Sequence, residues 1–334
     1  MIEYQQKIGE LIARIRNQRG LTQKELADKL KTSQSAINRI EAGKQNVTLE
    51  MLARISDVLN KEIISLGSDS VNLRVEGGHK LRGSIDTKVS KNATVGLLCA
   101  ALLNRGTTTL KKVPKIEEVF RLIEVLQSIG VKVTWLDGGD VEIKPPKVLK
   151  LEDIDAKAAR RTRSIIMYLG PLMHRYKDFR LPYAGGCKLG KRTVAPHLYA
   201  LEEFGLSVDT KNNYYHVTVR KKSPKEVTLY EMGETVSENV LMAAAMTEGT
   251  TIIRNISSNY MVQDMCFFLE KLGAKIEGIG TNTLTVYGVK DVDKNITYAP
   301  SEDPIEAFSF ISAAITTNSR ITVKRCPIEF LRVE

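Results

Sequence analysis

The chain has 334 residues, 43% hydrophobic and 26% charged, proportions of an ordinary globular protein with room for two or three domain cores. No apolar run approaches the roughly 20 residues that cross a bilayer, and MIEYQQKIGE lacks a basic-then-apolar export signal, so no membrane partner and a cytoplasmic location are expected. The net charge of +10 favours anionic partners without choosing among them, and four cysteines without paired spacing (Cys99, Cys187, Cys266, Cys326) argue against a disulfide framework. Neither they nor His79, His174 and His216 have metal-ligand spacing, so no metal or cofactor is expected.

From Tyr4 to Arg19 apolar residues recur at Ile8, Leu11, Ile12 and Ile15, predicting a helix that Gly20 ends. Thr22, with Glu25 three residues on, forms a capping box for QKELADKL. The turn KTS leads to a third helix, QSAINRIEAG, ended by Gly43, and Thr48 caps a fourth carrying Met51, Leu52, Ile55 and Leu59. Short helices with a tight turn between the second and third describe a helix-turn-helix module, or else a small bundle for protein contacts. LTQKELADKLKTSQSAINRIEAGK resembles the lambda-repressor-like, XRE-type DNA-binding family. The resemblance implies that residues 1–66 bind duplex DNA, as a homodimer across two half-sites. Gln34, Ser35 and Asn38 would face base edges, and Gln23 and Lys44 would touch phosphates. Arg39 would serve either a phosphate or an internal ion pair with a helix carboxylate. Eleven Lys/Arg against eight Asp/Glu in this stretch leave most of the positive surplus to the remainder.

A linker is expected around Asn60 to Asn72. Beyond it a mixed unit recurs: LLNRGTTTLKKV with VLQSIGVKVTWL, then LEEFGLSVDT, then AAAMTEGTTIIRN with FLEKLGAKIEGI. The turn glycines Gly130, Gly205 and Gly273 are 75 and 68 residues apart, so three repeated α/β units are predicted. A fourth begins near Pro300 and stops at Glu334. It is expected to be a loose stub that leaves Phe308, Phe310, Ile311 and Ile315 uncovered.

The loop Pro182 to His197, PYAGGCKLGKRTVAPH, sets Cys187 behind two glycines, with Lys188, Lys191 and Arg192 following. Nearby cations favour the thiolate, and such a loop suits a lid over an anionic substrate, though a surface loop with an incidental cysteine has the same composition. This loop, SKNATVGLLCAALL (Ser90–Leu103), LKKVPKIEEV (Leu110–Val119), RTRSIIMYLGPL (Arg161–Leu172) and EGTTIIRN (Glu248–Asn255) together resemble the UDP-N-acetylglucosamine enolpyruvyl transferase (MurA-type) family. The likeness runs over roughly residues 70–334.

The resemblance implies an all-α helix-turn-helix domain (1–66) and a linker with a strand (67–80). A first lobe of three repeats would follow (81–292), helices inside and sheets outside as an inside-out α/β barrel, and then the start of an incomplete second lobe (293–334). It implies transfer of the enolpyruvyl group of phosphoenolpyruvate to UDP-N-acetylglucosamine or a related nucleotide sugar. Lys91 and Arg192 would hold phosphoenolpyruvate, Asn92 the acceptor sugar, Arg163 the nucleotide sugar, and Cys187 would be the general acid. Lys91 and Asn92 have an alternative reading as helix caps, and His197 reads equally as a nucleotide contact or as packing. Ala195 replaces a family aspartate, Asn259, Tyr260 and Met261 replace a glutamate-proline-glutamate run, and Gly233–Asn239 (GETVSEN) replaces a lysine-containing segment. The acceptor side therefore departs from the pattern, leaving open another acceptor or a regulator that only senses these ligands. The family's catalytic aspartate from the second lobe lies beyond Glu334, so no turnover is expected from this chain alone.

Overall fold

A computed structural model describes residues 2–59, 77–185 and 193–331, and the chain divides into two units, Met1–Gly77 and Gly78–Glu334. The first unit holds α1 (Ile2–Gln18), α2 (Gln23–Leu30), α3 (Gln34–Glu41) and α4 (Leu49–Leu59). Their apolar stripes close on a core of Ile12, Ile15, Leu26, Leu30, Ile37, Ile40, Leu52, Ile55 and Leu59. The capping box forms as expected, with Glu25 N–H donating to Thr22 Oγ1 and Thr22 N–H to Glu25 Oε2. Lys31 turns the chain in the left-handed region (φ 53°), and Ser33 caps α3. At Gly9 a Cβ would lie 2.4 Å from the Ile40 carbonyl oxygen, so only glycine lets α1 come this close to α3.

The second unit begins with β1 (Arg82–Asp86), α5 (Lys91–Ala100), β2 (Thr108–Leu110), α6 (Glu117–Ser128), β3 (Lys132–Trp135) and β4 (Val141–Lys144). Next come α7 (Ala156–Ala159), α8 (Leu169–Leu172), β5 (Asp178–Pro182), α9 (Ala195–Glu202), β6 (Leu206–Lys211) and β7 (Tyr214–Val219). They are followed by β8 (Glu226–Thr228), α10 (Glu234–Ala245), β9 (Gly249–Arg254), α11 (Tyr260–Leu272), β10 (Lys275–Glu277) and β11 (Thr283–Gly288). The chain continues with β12 (Ile296–Tyr298), α12 (Pro304–Thr316), β13 (Arg320–Lys324) and α13 (Ile328–Leu331).

One topology occurs three times. A strand leads through a helix to a second strand, and a third strand hairpins back between them, antiparallel to both: β2-β4-β3, β5-β7-β6 and β9-β11-β10. The helices α6, α9 and α11 each run into a glycine of positive φ (Gly130 89°, Gly205 91°, Gly273 117°), which reverses the chain into the next strand. An outer strand adds in parallel to two of these sheets, β12 to β2 and β8 to β9. Helices α5 and α10 are buried from Ala93 and Val236 onward, and α10 takes Glu238 and Asn239 into the interior along with its apolar residues.

β12, expected in the second lobe, adds in parallel to β2, and β1, expected in the first, pairs in parallel with β13 over five residues. The last segment is therefore anchored rather than loose, because β1 supplies the partner that β13 needs. Its helix α12 nevertheless stays largely uncovered, with Ile305, Phe308 and Ile315 59%, 42% and 74% exposed. The strand expected near Asn72–Glu76 lies outside the described residues.

Candidate functional site

Ser90 caps α5 by accepting from Ala93 N–H, and its hydroxyl also meets the Tyr260 hydroxyl at 2.9 Å. Capping is thus done without Lys91 or Asn92, which removes the helix-cap alternative for both. Lys91 Nζ donates to Glu118 Oε2 of α6 (2.7 Å), and Glu118 Oε1 accepts from Ser164 Oγ (2.8 Å) and Thr162 Oγ1 (3.3 Å). Burial pushes the Glu118 carboxyl up, but the bonds from Lys91 and Ser164 outweigh it and hold the group below its usual range. Lys91 has three N–H donors, so one spent on Glu118 leaves two for a ligand.

Lys91, Glu118 and Ser164 border a cavity of about 720 Å³ whose wall also includes Asn92, Arg163, Glu231, Glu234, Glu238 and Asn259. Arg163 Nη2 donates to the carbonyl of Thr193, the first described residue after the Cys187 loop. The cavity thus gathers Lys91, Asn92 and Arg163 from distant stretches of sequence. Cys187 and Arg192 lie outside the described residues.

Of the two readings of His197, a nucleotide contact and a packing residue, its burial favours packing. Its ring is 1% exposed, with Nδ1 3.2 Å from Asn239 Nδ2 and Nε2 3.3 Å from Thr235 Oγ1. Asn239 Oδ1 accepts from Gly170 N–H, which fixes its amide and makes Nδ2 the donor toward His197. The neutral ring then keeps its proton on Nε2, facing Thr235. Burial, aided by nearby Arg163, pushes this imidazole down to about 3.

The residue that sequence reasoning missed is Glu238. It is 1% exposed inside α10, and its Oε1 has no hydrogen-bond partner among the described residues. Burial and the like charges of Glu234 and Asp264 push its carboxyl well above the usual range, which favours the protonated form. Asn259 Oδ1, on the same cavity wall, is also without a partner among the described residues. The available signal was one acid placed among the alanines, valines and methionine of ETVSENVLMAAA.

In the first unit Gln34, Ser35, Asn38, Arg39 and Lys44 are exposed, as a nucleic-acid face requires. Gln23 is instead engaged internally, donating to Glu41 Oε2 (2.9 Å). Arg39 pairs with the Gln45 amide (3.1 Å), not with a helix carboxylate. Arg16 forms an ion pair with Glu41 inside this unit. Cys99 and Cys266 are buried, which pushes both thiols up, Cys266 to about 12. No cluster of metal-ligating side chains occurs among the described residues, and no described helix is long and apolar enough to cross a membrane.

Residues 75–334 match the EPSP synthase (3-phosphoshikimate 1-carboxyvinyltransferase) family and residues 12–66 a helix-turn-helix family. A UDP-N-acetylglucosamine 1-carboxyvinyltransferase of Bradyrhizobium diazoefficiens is 37% identical over 258 residues, covering 77% of this chain and 59% of that protein. UDP-N-acetylglucosamine 1-carboxyvinyltransferase 1 of Clostridium acetobutylicum is 33% identical over 250 residues, covering 75% and 59%. The chain thus spans 59% of the length of these two relatives. Among solved structures, the enolpyruvyl transferase NikO from Streptomyces tendae superposes with a TM-score of 0.60 at 21% identity, covering 71% of this chain and 56% of that one. An EPSP synthase from Acinetobacter baumannii gives 0.57 at 17%, covering 74% and 56%. Both share the fold. From its second unit, matched from residue 75 to residue 334, the chain belongs to the EPSP synthase (3-phosphoshikimate 1-carboxyvinyltransferase) family, with a helix-turn-helix unit ahead of the matching region.

Proposed function

We propose that the second unit binds phosphoenolpyruvate beside Lys91 and Arg163 and supplies half of an enolpyruvyl transferase site, fused to a DNA-binding helix-turn-helix. The observation that carries this is the convergence of Lys91, Asn92 and Arg163 on one cavity in a chain of this family. In the reaction an acceptor hydroxyl oxygen bonds to C2 of the enolpyruvyl group while C3 takes up a proton. Loss of that C3 proton and cleavage of the C2–O bond to phosphorus then restore the double bond and release inorganic phosphate. Lys91 and Arg163 counter the charge of the phosphate and carboxylate, and Asn92 orients the acceptor. Cys187 gives the proton to C3, and Arg192 adds a bidentate anion contact. The three sheets enclose α5 and α10 as an inside-out barrel. In this reading the base that takes the acceptor proton belongs to a second lobe, as the family resemblance implies, and the chain spans 59% of the length of the two relatives.

Titration of the full chain with phosphoenolpyruvate tests the reading. Binding that Lys91→Ala and Arg163→Ala each weaken supports it, and no binding at millimolar ligand removes it. Phosphate release should need an added second lobe, so turnover by the 334 residues alone would refute that division of labour. A second reading is favoured by the exposed Gln34, Ser35 and Asn38: residues 1–66 dimerise on duplex DNA and the lobe reports ligand to them. It predicts phosphoenolpyruvate-dependent DNA affinity without turnover even when a second lobe is supplied.

A further inference from the structure

The cavity beside Lys91 has two chemically opposed sides. Among the described residues Lys91 and Arg163 are its cations, and both already face oxygen acceptors, Glu118 and the Thr193 carbonyl. Across from them the start of α10 presents Glu231 and Glu234, and neither makes an ion pair among the described residues. One turn deeper stands Glu238, 1% exposed, with Oε1 unpartnered and pressed so close to α5 that a Cβ on Gly96 would lie 2.3 Å from it. Asn259 Oδ1 is the second orphan acceptor on this wall. Glu234 by itself has a sufficient explanation in the positive end of α10. That explanation does not extend to Glu231, which precedes the helix, nor to a buried carboxyl with an empty valence.

A diphosphate set against this wall would meet the carboxylates of Glu231 and Glu234. An ammonium has three N–H donors and no acceptor, matching the acceptor oxygens that Glu231, Glu234 and Asn259 offer on this wall. Glu238 Oε1, unpartnered among the described residues, can in addition accept from a neighbouring hydroxyl. We propose that the acceptor alcohol is an amine-bearing polyol of the amino-sugar class, carrying no diphosphate, seated on Glu231, Glu234 and Glu238. This rests on the enolpyruvyl-transfer reading and gives its acceptor.

The test is calorimetric titration of the full chain, saturated with phosphoenolpyruvate at mildly acidic pH where glucosamine is protonated. The probes are glucosamine, N-acetylglucosamine and UDP-N-acetylglucosamine. Glucosamine should bind at least about tenfold more tightly than either of the others. The Glu231→Gln/Glu234→Gln double variant should erase that preference while phosphoenolpyruvate affinity is kept or rises. Glu238→Leu should weaken glucosamine, and Glu238→Gln, which still donates and accepts, should retain it. Equal affinities, tighter binding of UDP-N-acetylglucosamine, or a preference untouched by the double variant would overturn the inference. Phosphoenolpyruvate binding sensitive to Lys91→Ala would leave the broader reading standing in those cases. Its absence in the first titration would refute that reading instead.

Discussion

Each unit buries charge, and the two do it in opposite ways. In the helix-turn-helix unit Arg16 meets Glu41 through two bonds, Nε to Oε1 (2.6 Å) and Nη2 to Oε2 (2.9 Å). Its third arm donates to the Leu21 carbonyl and the Asn17 amide oxygen, while Gln23 completes Glu41. Four of the five guanidinium N–H groups and both carboxylate oxygens are engaged, so the cluster has little to offer a ligand. In the lobe, Glu238 and Asn259 keep orphan atoms, and Glu231 and Glu234 stand unpaired among the described residues. A closed cluster locks helices together, whereas an open one costs stability and persists where a ligand completes it.

Breaking the closed cluster should have the largest effect. Glu41→Ala strands a buried guanidinium and should cost roughly 3–5 kcal/mol, enough to unfold a unit of this size. Calorimetry should show the first unit's transition vanish while that of the lobe stays in place. A loss under about 1 kcal/mol would mean that the pair is solvent-relaxed.

On the open side, Lys91→Ala should weaken phosphoenolpyruvate by at least about tenfold, near 1.4 kcal/mol, by isothermal titration. An unchanged affinity would place the anion elsewhere. The exposed face of α3 is open too. There Asn38→Ala should lower discrimination between DNA sequences by about 1–3 kcal/mol, whereas Lys44→Ala should weaken all sequences alike. Fluorescence anisotropy over a salt series separates the two, and retention of full specificity by Asn38→Ala would remove it from the base-reading face.

Two titrations sharpen the contrast. Burial pushes His174 down to about 4 and His197 to about 3, below the 6.5 of a free imidazole. Both are neutral when folded, so their stabilisation is complete above pH 6.5 and is lost as pH falls toward those values. The lobe's melting temperature should drop by several degrees between about pH 6.5 and 4.5, and a flat profile would contradict their burial. Glu238 has the reverse sign. Its folded carboxyl is raised, so its contribution is full below the unfolded value and lost as pH rises. Glu238→Gln should therefore raise the melting temperature at pH 7 by roughly 2–4 °C and change little near pH 4. Destabilisation at pH 7 would show that the carboxyl is partnered after all.

Much was legible in advance because it is local. Thr22 with Glu25, Ser33 before α3 and the glycines ending α6, α9 and α11 act through backbone groups a few residues away, so spacing alone announces them. Lys91, Asn92 and Arg163 were readable as a set only through resemblance, since nothing in their spacing says that they share a cavity. Their meeting depends on α5 and α6 packing so that Lys91 reaches Glu118, 27 residues on. The same holds for β1 finding β13 and β12 finding β2. Such pairings are chosen by which edges remain open once the repeats have folded. Whether His197 contacts ligand or only braces Asn239, and whether an acid in α10 is exposed or stranded, is decided by burial. Burial is set by what the rest of the chain packs over a residue, and that information is absent from its neighbours in sequence.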